Sequence, residues 1–420
     1  MYLYFLFFFV VLIFIQCVFL NKFLNPLFLI SFFWFILSSF SYLSITDYNP
    51  ISDEVFIIVM IFISGLTFGG CGACLKKSYK IENNDAFYCS AIKIFHNLKY
   101  LLLLPVLFFC IKACVIFYFV GVDNYRSIVF STRDNVSILF GNPYVELIYS
   151  IFIQPVVFML FFLGVVLFLS GKGSKVLYFS SMLYVMDSIS MMGRFNLYYM
   201  LVIIMVSITY SIGINKKLKY KLYKISLVIF FVSIIIGLFR YGDSDENYII
   251  TLMNTHVIGL SLFSHELQSL TSLLNKNIMY GLGTFSGLSD LFSMFIRRFD
   301  PSYVPDFFRM KDIVSFFVIG RSNTGVDLQA NAYYTILYTL YSDGREIGVL
   351  FLSMIFGYVL IYNYRCRRNE INFLFFCFFF FFLYFSVFMS PLEMRGVWAL
   401  FIYMVLFRFY IKLNNRRGNL

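Results

Sequence analysis

Charge is what this sequence has least of. Only 13% of its 420 residues are charged, against about 25% in a soluble globular domain. That excludes the two or three soluble domains which length alone would suggest. The long apolar runs, such as "FLFFFVVLIFI" and "INFLFFCFFFFFLYFSVFM", also lack polar-apolar alternation. Strands of a membrane barrel alternate with period two, so these runs read as helices. Cys71 and Cys74 form a CxxC without a second pair or a nearby His, which argues against a structural metal site. No internal repeat and no low-complexity linker marks off a separate soluble domain. The expected organisation is therefore one membrane domain over residues 1–420.

What the sequence does have is apolar length. Hydrophobic residues make up 60% of the chain and the mean hydropathy is +0.82. A helix needs about 20 mostly apolar residues to cross a bilayer. Eleven segments qualify: Tyr2–Leu20, Leu27–Ile45, Val55–Leu75, Tyr100–Val120, Leu147–Ser170, Val176–Met192, Leu197–Gly213, Ile225–Phe239, Ile347–Tyr362, Ile371–Met389 and Val397–Ile411. The first lacks the basic start and small-residue cleavage site of a removable signal, so it is kept as a span. The 57 Phe and 32 Tyr need no ligand to explain them, because lipid-facing helices tolerate aromatics freely.

Lys and Arg gather on the cytoplasmic side of short loops. Here alternate connections are basic. Lys22, then Lys76, Lys77, Lys80, Lys93 and Lys99, then Lys172 and Lys175 fall in the first, third and fifth. Five lysines from Lys216 to Lys224 fall in the seventh, Arg365, Arg367 and Arg368 in the ninth, and Lys412, Arg416 and Arg417 in the tail. The short connections on the opposite side hold only Arg126, Arg133, Arg194 and Arg395. The expectation is an external N-terminus and a cytoplasmic C-terminus. The net charge of +11 is mostly this bias and calls for no nucleic-acid partner. None of the eight cysteines falls in an external loop, so no disulfides are expected.

Of the external connections, residues 121–143 form a smaller loop, and residues 240–346 form one long enough to be functional or to fold on its own terms. In the larger one, Val257, Leu260, Phe263, Leu267, Leu270 and Leu274 recur at helical spacing. Such a helix either lies along the bilayer surface or packs on the spans. "LFSMFIRRF" is a second, shorter helical candidate.

The external cations are mostly arginines: Arg126, Arg133, Arg194, Arg240, Arg297, Arg298, Arg309, Arg321, Arg345 and Arg395, against Lys276 and Lys311. Lysine would serve topology equally well. Arginine's rigid fork suits phosphate and carboxylate oxygens taken two at a time. Two readings stand: a polyanionic ligand such as a pyrophosphate, or pairing with loop carboxylates. Charges inside spans also need a reason. Asp187, seven residues before Arg194, either pairs with it or lines the same cavity; Lys112 snorkels outward or reaches a cavity.

The most specific segment is "VIGRSNTGVDLQANAYYTILYTLYSDGREIGVLFLSMIFGYVL". Asn331 to Tyr341 is too short to span but apolar enough to dip into the membrane. Asp343-Gly344 breaks the chain, and Gly348 follows in the next span. An Asn-rich start, a short helix and an Asp-x-Gly-x-x-Gly-like turn leading into a late span resemble the O-antigen polymerases (Wzy family, oligosaccharide repeat-unit polymerases). The matching residues are Asn331, Asp343, Gly344 and Gly348, and Arg309 with Gly320 has the Arg-x10-Gly spacing of that family's external loops. Ten to twelve spans with a small and a large external loop, both carrying arginines, also resemble it.

The resemblance implies an all-α, GT-C-like glycosyltransferase in the bacterial inner membrane, with its active site on the periplasmic face. It implies transfer of a growing glycan from undecaprenyl pyrophosphate to a new lipid-linked repeat unit, with the bilayer and a chain-length regulator (a polysaccharide co-polymerase) as partners, and with no metal or other cofactor. The leaving lipid pyrophosphate needs cations where charge develops, and the attacking hydroxyl needs a base. Catalytic candidates are Arg321, Arg345, Asp343 and Glu393, with Glu346, His256 and His265 as further bases. Candidates for binding substrate are Arg194, Arg395, Arg126, Arg133, Arg309, Asn331, Asp187 and His265. Arg321, Arg345, Arg194 and Arg395 are expected around one external cavity. The competing classes are a ligase that moves finished glycan to a lipid core, and a flippase or transporter, which would show matching halves and broken helices near the midplane.

Overall fold

The computed structural model describes residues 2–417 except 77–84, 122–124, 126–137, 192–193, 213–215, 242–247, 270–271, 298, 301, 313–316, 322–324, 326 and 331–333. The chain forms an α-helical membrane protein. Among the described residues six helices are long and apolar enough to cross a bilayer, and Pro26–Tyr42, Leu197–Tyr210 and Glu370–Phe385 are shorter apolar ones. The chain divides into two compact units. One comprises Met1–Tyr79, Asp245–Arg365 and Phe382–Trp398; the other comprises Lys80–Ser244, Cys366–Phe381 and Ala399–Leu420. Two of the passages between them fall inside helices, so no linker composition betrays the division.

In the first unit, short-range chemistry sets the helix starts. Asn25 caps α2 (Pro26–Tyr42) by accepting from the Phe28 amide, and Pro26 fills the first turn, where its missing N–H has no role. Ser52 caps α3 (Asp53–Cys74), whose first turn carries Asp53 and Glu54. Buried Gln16 on α1 (Tyr2–Leu20) donates to Ser31 Oγ at 3.0 Å and Thr67 Oγ1 at 2.8 Å, a polar tie between three apolar helices.

Small residues let α3 approach α13 (Ile336–Arg365). A Cβ at Gly69 would stand 1.9 Å from the Met354 carbonyl oxygen, and one at Gly357 2.1 Å from that of Leu66. Gly65 meets Ser353 in the same seam. At the far end of the pair, the Arg365 guanidinium sits 2.6–2.8 Å from the carbonyl oxygens of Ala73, Cys74 and Lys76. A basic residue read only as a topology signal thus also satisfies the last carbonyls of α3.

The helix expected around residues 255–276 is α9 (Tyr248–Gln268), with Val257, Leu260, Phe263 and Leu267 buried. It stops before Leu274, which lies buried on the separate turn α10 (Leu273–Lys276); Leu270 lies outside the described residues. The second expected helix is α11 (Ser286–Ile296), followed by α12 (Asp306–Asp312). Besides the helices the described residues hold one two-stranded sheet. Phe317–Arg321 (β1) and Asp327–Ala330 (β2) form an antiparallel hairpin. Residues 47–49 extend it, with Asn49 N donating to Ile319 O at 2.7 Å and Arg321 N to Asp47 O at 3.1 Å. Gly320 is required there, since a Cβ would come within 2.2 Å of Asp47 O.

The second unit holds α4 (Asp85–Val120), the Pro143–Leu169 helix (α5), α6 (Ser174–Ser190), α7 (Arg194–Tyr210), α8 (Lys216–Tyr241) and parts of α14 (Glu370–Phe385) and α15 (Arg395–Arg417). α4 and α8 begin well before their expected spans, because helical residues continue into the basic connections. Tyr125 is buried, and its hydroxyl donates to Ser190 O at 2.6 Å. Burial pushes that phenol up to about 12. α14 ends at Phe385 rather than Met389, because residues 386–390 turn to meet the start of α13: Ile336 N donates to Ser386 O, and Ser390 N to Tyr334 O, each at 2.9 Å. All eight cysteines are free.

Candidate active site at the re-entrant helix

α13 is two arms joined by a break. Residues 336–343 form a short arm in which Ile336, Leu337, Tyr338, Thr339, Leu340, Tyr341, Ser342 and Asp343 are all buried. A helix apolar on every face must be enclosed. Gly344 and Arg345 then leave helical geometry, and the long arm runs on to Arg365. Arg345 has φ 55° and ψ −145°, a region kept almost entirely to glycine that costs another residue roughly 1–3 kcal/mol. Its guanidinium compensates: it donates to the carbonyl oxygens of Leu274, Asn275 (2.9 Å) and Asn277 (3.3 Å) and lies 5.2 Å over the Tyr341 ring.

Asp343 is committed in the same way. Its carboxylate accepts from Gly283 N at 2.8 Å, Thr284 N at 2.6 Å and Thr284 Oγ1 at 2.5 Å. Met279 N donates to Ser342 O at 2.8 Å. Gly283 permits this approach, since a Cβ there would stand 2.7 Å from Ser342 Oγ. Asp343 and Arg345 therefore hold the break together by binding backbone on both sides of it.

Two further carboxylates, Glu393 and Glu266, are buried near this arm. Glu393 is buried in the one-turn helix Pro391–Glu393, and Thr339 donates to its Oε1 at 2.9 Å. The Ser390 and Thr339 hydroxyls are 2.7 Å apart, so Ser390 donates onward to Thr339. Glu266 on α9 is also buried; it accepts from the Ser272 hydroxyl and from Tyr334 OH at 3.5 Å. Tyr334 stacks on Tyr338 with ring centroids 4.2 Å apart. Burial first, and the Glu266 carboxylate next, raise the Tyr334 phenol above its ordinary range; Glu393 adds to the effect. Two buried carboxylates thus flank this stretch, Glu266 at the Tyr334 hydroxyl and Glu393 at that of Thr339.

Arg395 stands two residues after Glu393. Its guanidinium faces Asp290 at 3.7 Å, and Arg297 faces the other oxygen of Asp290 at 3.6 Å. Both contacts exceed hydrogen-bond length, and both arginines keep solvent access. α11 presents Asp290 from its inner face. Gly287 lets the helix start against this turn, where a Cβ would meet Leu392 O at 2.6 Å. Trp398 Nε1 donates to Leu392 O at 2.8 Å and closes the turn.

The remaining candidates are placed elsewhere. Arg321 sits on β1, largely exposed, and its Nε donates to Asp327 Oδ1 at 2.8 Å. Arg309 is exposed and 3.9 Å from Asp306. His265 is half-buried on α9 beside Glu266. Asp187 is buried and accepts from Tyr149 OH at 2.7 Å and Gln154 Nε2 at 3.1 Å, so its partners come from α5. A π-helical turn over Tyr149–Ile153 sets Tyr149 at that carboxylate. Arg126, Arg133 and Asn331 lie outside the described residues, and Arg194 begins α7 with its side chain likewise undescribed. Of the four arginines expected around one cavity, Arg321 donates to Asp327, Arg345 to loop carbonyls, and Arg395 faces Asp290; the Arg194 side chain lies outside the described residues.

Glu266, Tyr334 and Thr339 were not singled out from the sequence. The signal for Glu266 was available: it follows Phe263 by three residues and precedes Leu267, so it lies on the apolar face of its helix. Among the described residues no cluster of three or more His, Cys, Asp or Glu could hold a metal ion. Compared with known proteins, the chain matches no protein-family model, no curated protein and no solved structure.

Proposed function

We propose that this chain is a membrane glycosyltransferase that polymerises lipid-pyrophosphate-linked oligosaccharide repeat units into a surface polysaccharide. In this reading it crosses the bacterial inner membrane eleven times, with its N-terminus and the 240–346 connection in the periplasm and its C-terminus in the cytoplasm. The observation that carries the proposal is the enclosed short arm of α13, broken at Gly344 and Arg345 and set beside the buried Glu393. It is the element on which the resemblance to the O-antigen polymerases rests, and here it adjoins a candidate base and a candidate anion-binding arginine.

The chemistry follows from those groups. The hydroxyl of the acceptor's non-reducing sugar attacks the anomeric carbon of the growing glycan. A new glycosidic C–O bond forms, the C–O bond to pyrophosphate breaks, and the proton passes to Glu393. Arg395, with Arg297 sharing Asp290, takes the charge that develops on the departing lipid pyrophosphate. Asp343 and Arg345 position the short arm and touch no substrate.

The test is the lipopolysaccharide ladder of a strain lacking the gene. Cores carrying a single repeat support polymerisation. Cores carrying none point instead to a ligase or a flippase and reject the proposal. Reporter fusions after Lys224 and Ser315 test the topology: cytoplasmic and periplasmic signals respectively are expected, and the same side for both rejects it.

A further inference from the structure

α11 has its polarity reversed relative to a helix that packs on a protein core. Ser286 and Ser293 are fully buried, and Asp290 faces inward to Arg297 and Arg395. The apolar residues point away. Phe285 is 52% exposed, Phe292 53%, Phe295 66% and Ile296 41%, and Phe299, just past the helix, is 89% exposed. At about 100° per residue these five, with Leu288, fall within one sector roughly 100° wide, opposite the serines. Tyr280 and Leu282, exposed in the preceding turn, add apolar area.

So large a run of exposed aromatics is not left in water without a reason. Its flanks indicate what covers it. Arg297, partly exposed, ends the helix, and Arg298 and Arg309 follow in sequence. An apolar stripe ending in arginines is the pattern of a helix lying in the membrane plane: rings reach below the headgroups, while guanidiniums stay at the level of lipid phosphates.

We infer that α11 is an interfacial helix seated in the lipid headgroup region, with Phe285, Phe292, Phe295, Ile296 and Phe299 in the upper acyl layer. The occupant of this face is the bilayer itself. The inference stands independently of the polymerase reading. It carries a consequence for the site: the inner face of α11 supplies Asp290 and abuts Leu392, so the Glu393 turn is held at headgroup depth. A lipid-linked substrate then reaches it by sliding within the leaflet.

The test uses the full-length protein in vesicles of phosphatidylethanolamine and phosphatidylglycerol carrying bromines at graded acyl depths. Phe292→Trp and, separately, Phe299→Trp each add one indole to the native Trp34 and Trp398, whose emission in the unsubstituted protein is subtracted. We expect shallow bromines to remove most of the added emission in both variants, and aqueous iodide to remove little. Quenching by iodide alone would place the face in water and overturn the inference. Quenching by neither would mean that protein covers it, as in a second copy or a partner, and would overturn it equally. Two independent positions guard against one variant that fails to fold.

Discussion

Thr339 donates its hydroxyl hydrogen bond to Glu393 across 2.9 Å, and that contact joins the short arm of α13 to the turn after α14. Both residues are buried. That bond orients the carboxylate, and the Ser390 hydroxyl stands behind Thr339 at 2.7 Å.

Glu393→Gln keeps the shape of the turn and removes the base. We expect polymerisation to fall by roughly 10²–10⁴-fold with normal protein level, the range for loss of a general base. Thr339→Val removes only the orienting bond, and its effect should be the smaller of the two. Glycan ladders from both strains provide the comparison. Wild-type chains with Glu393→Gln would take this carboxylate out of the chemistry.

Arg321→Lys should be nearly silent. The side chain is 76% exposed and its partner Asp327 is 46% exposed, and exposed pairs contribute about 0–1 kcal/mol. The ladder should keep its full length. Loss of long chains at normal protein level would show that Arg321 holds substrate, as the sequence alone suggests.

Asp187→Asn should leave polymerisation intact and lower thermal stability modestly. The carboxylate accepts from Tyr149 and Gln154; an amide can still accept from one of them but offers an N–H to the other. The lost bond amounts to about 1 kcal/mol. A thermal shift in detergent measures the stability effect. Abolished activity in a protein of native stability would instead place Asp187 in a substrate path.

Gly69→Val should prevent accumulation of folded protein. The new side chain would enter the Met354 backbone, with even its Cβ 1.9 Å from the carbonyl oxygen. Overpacking typically costs about 1–3 kcal/mol, and a clash with backbone has no rotamer to relieve it. Gly72→Val, three residues on in the same helix, is the control: nothing lies within 4 Å of its Cβ position. Equal yields of the two variants in membrane fractions would deny the seam.

Much of this molecule is local and therefore legible. Apolar length determines the helices, because a backbone in lipid must satisfy its own hydrogen bonds. The lysine bias suggests an orientation, and Asp343-Gly344 marks the break in α13 before any fold is known. Even the reason α9 is helical is written at its three-and-four spacing. What the tertiary structure decided is which polar groups remain available. Arg345 and Asp343 look like catalytic residues in sequence, yet they spend their donors and acceptors on Leu274, Asn275, Gly283 and Thr284, about sixty to seventy positions away. Glu266 and Glu393, far apart in the chain, meet Tyr334 and Thr339 only once α9, the short arm and the 391–393 turn are packed. Hydropathy is a property of neighbours in sequence, whereas the partner of a buried charge is a property of neighbours in space. Only folding brings those together.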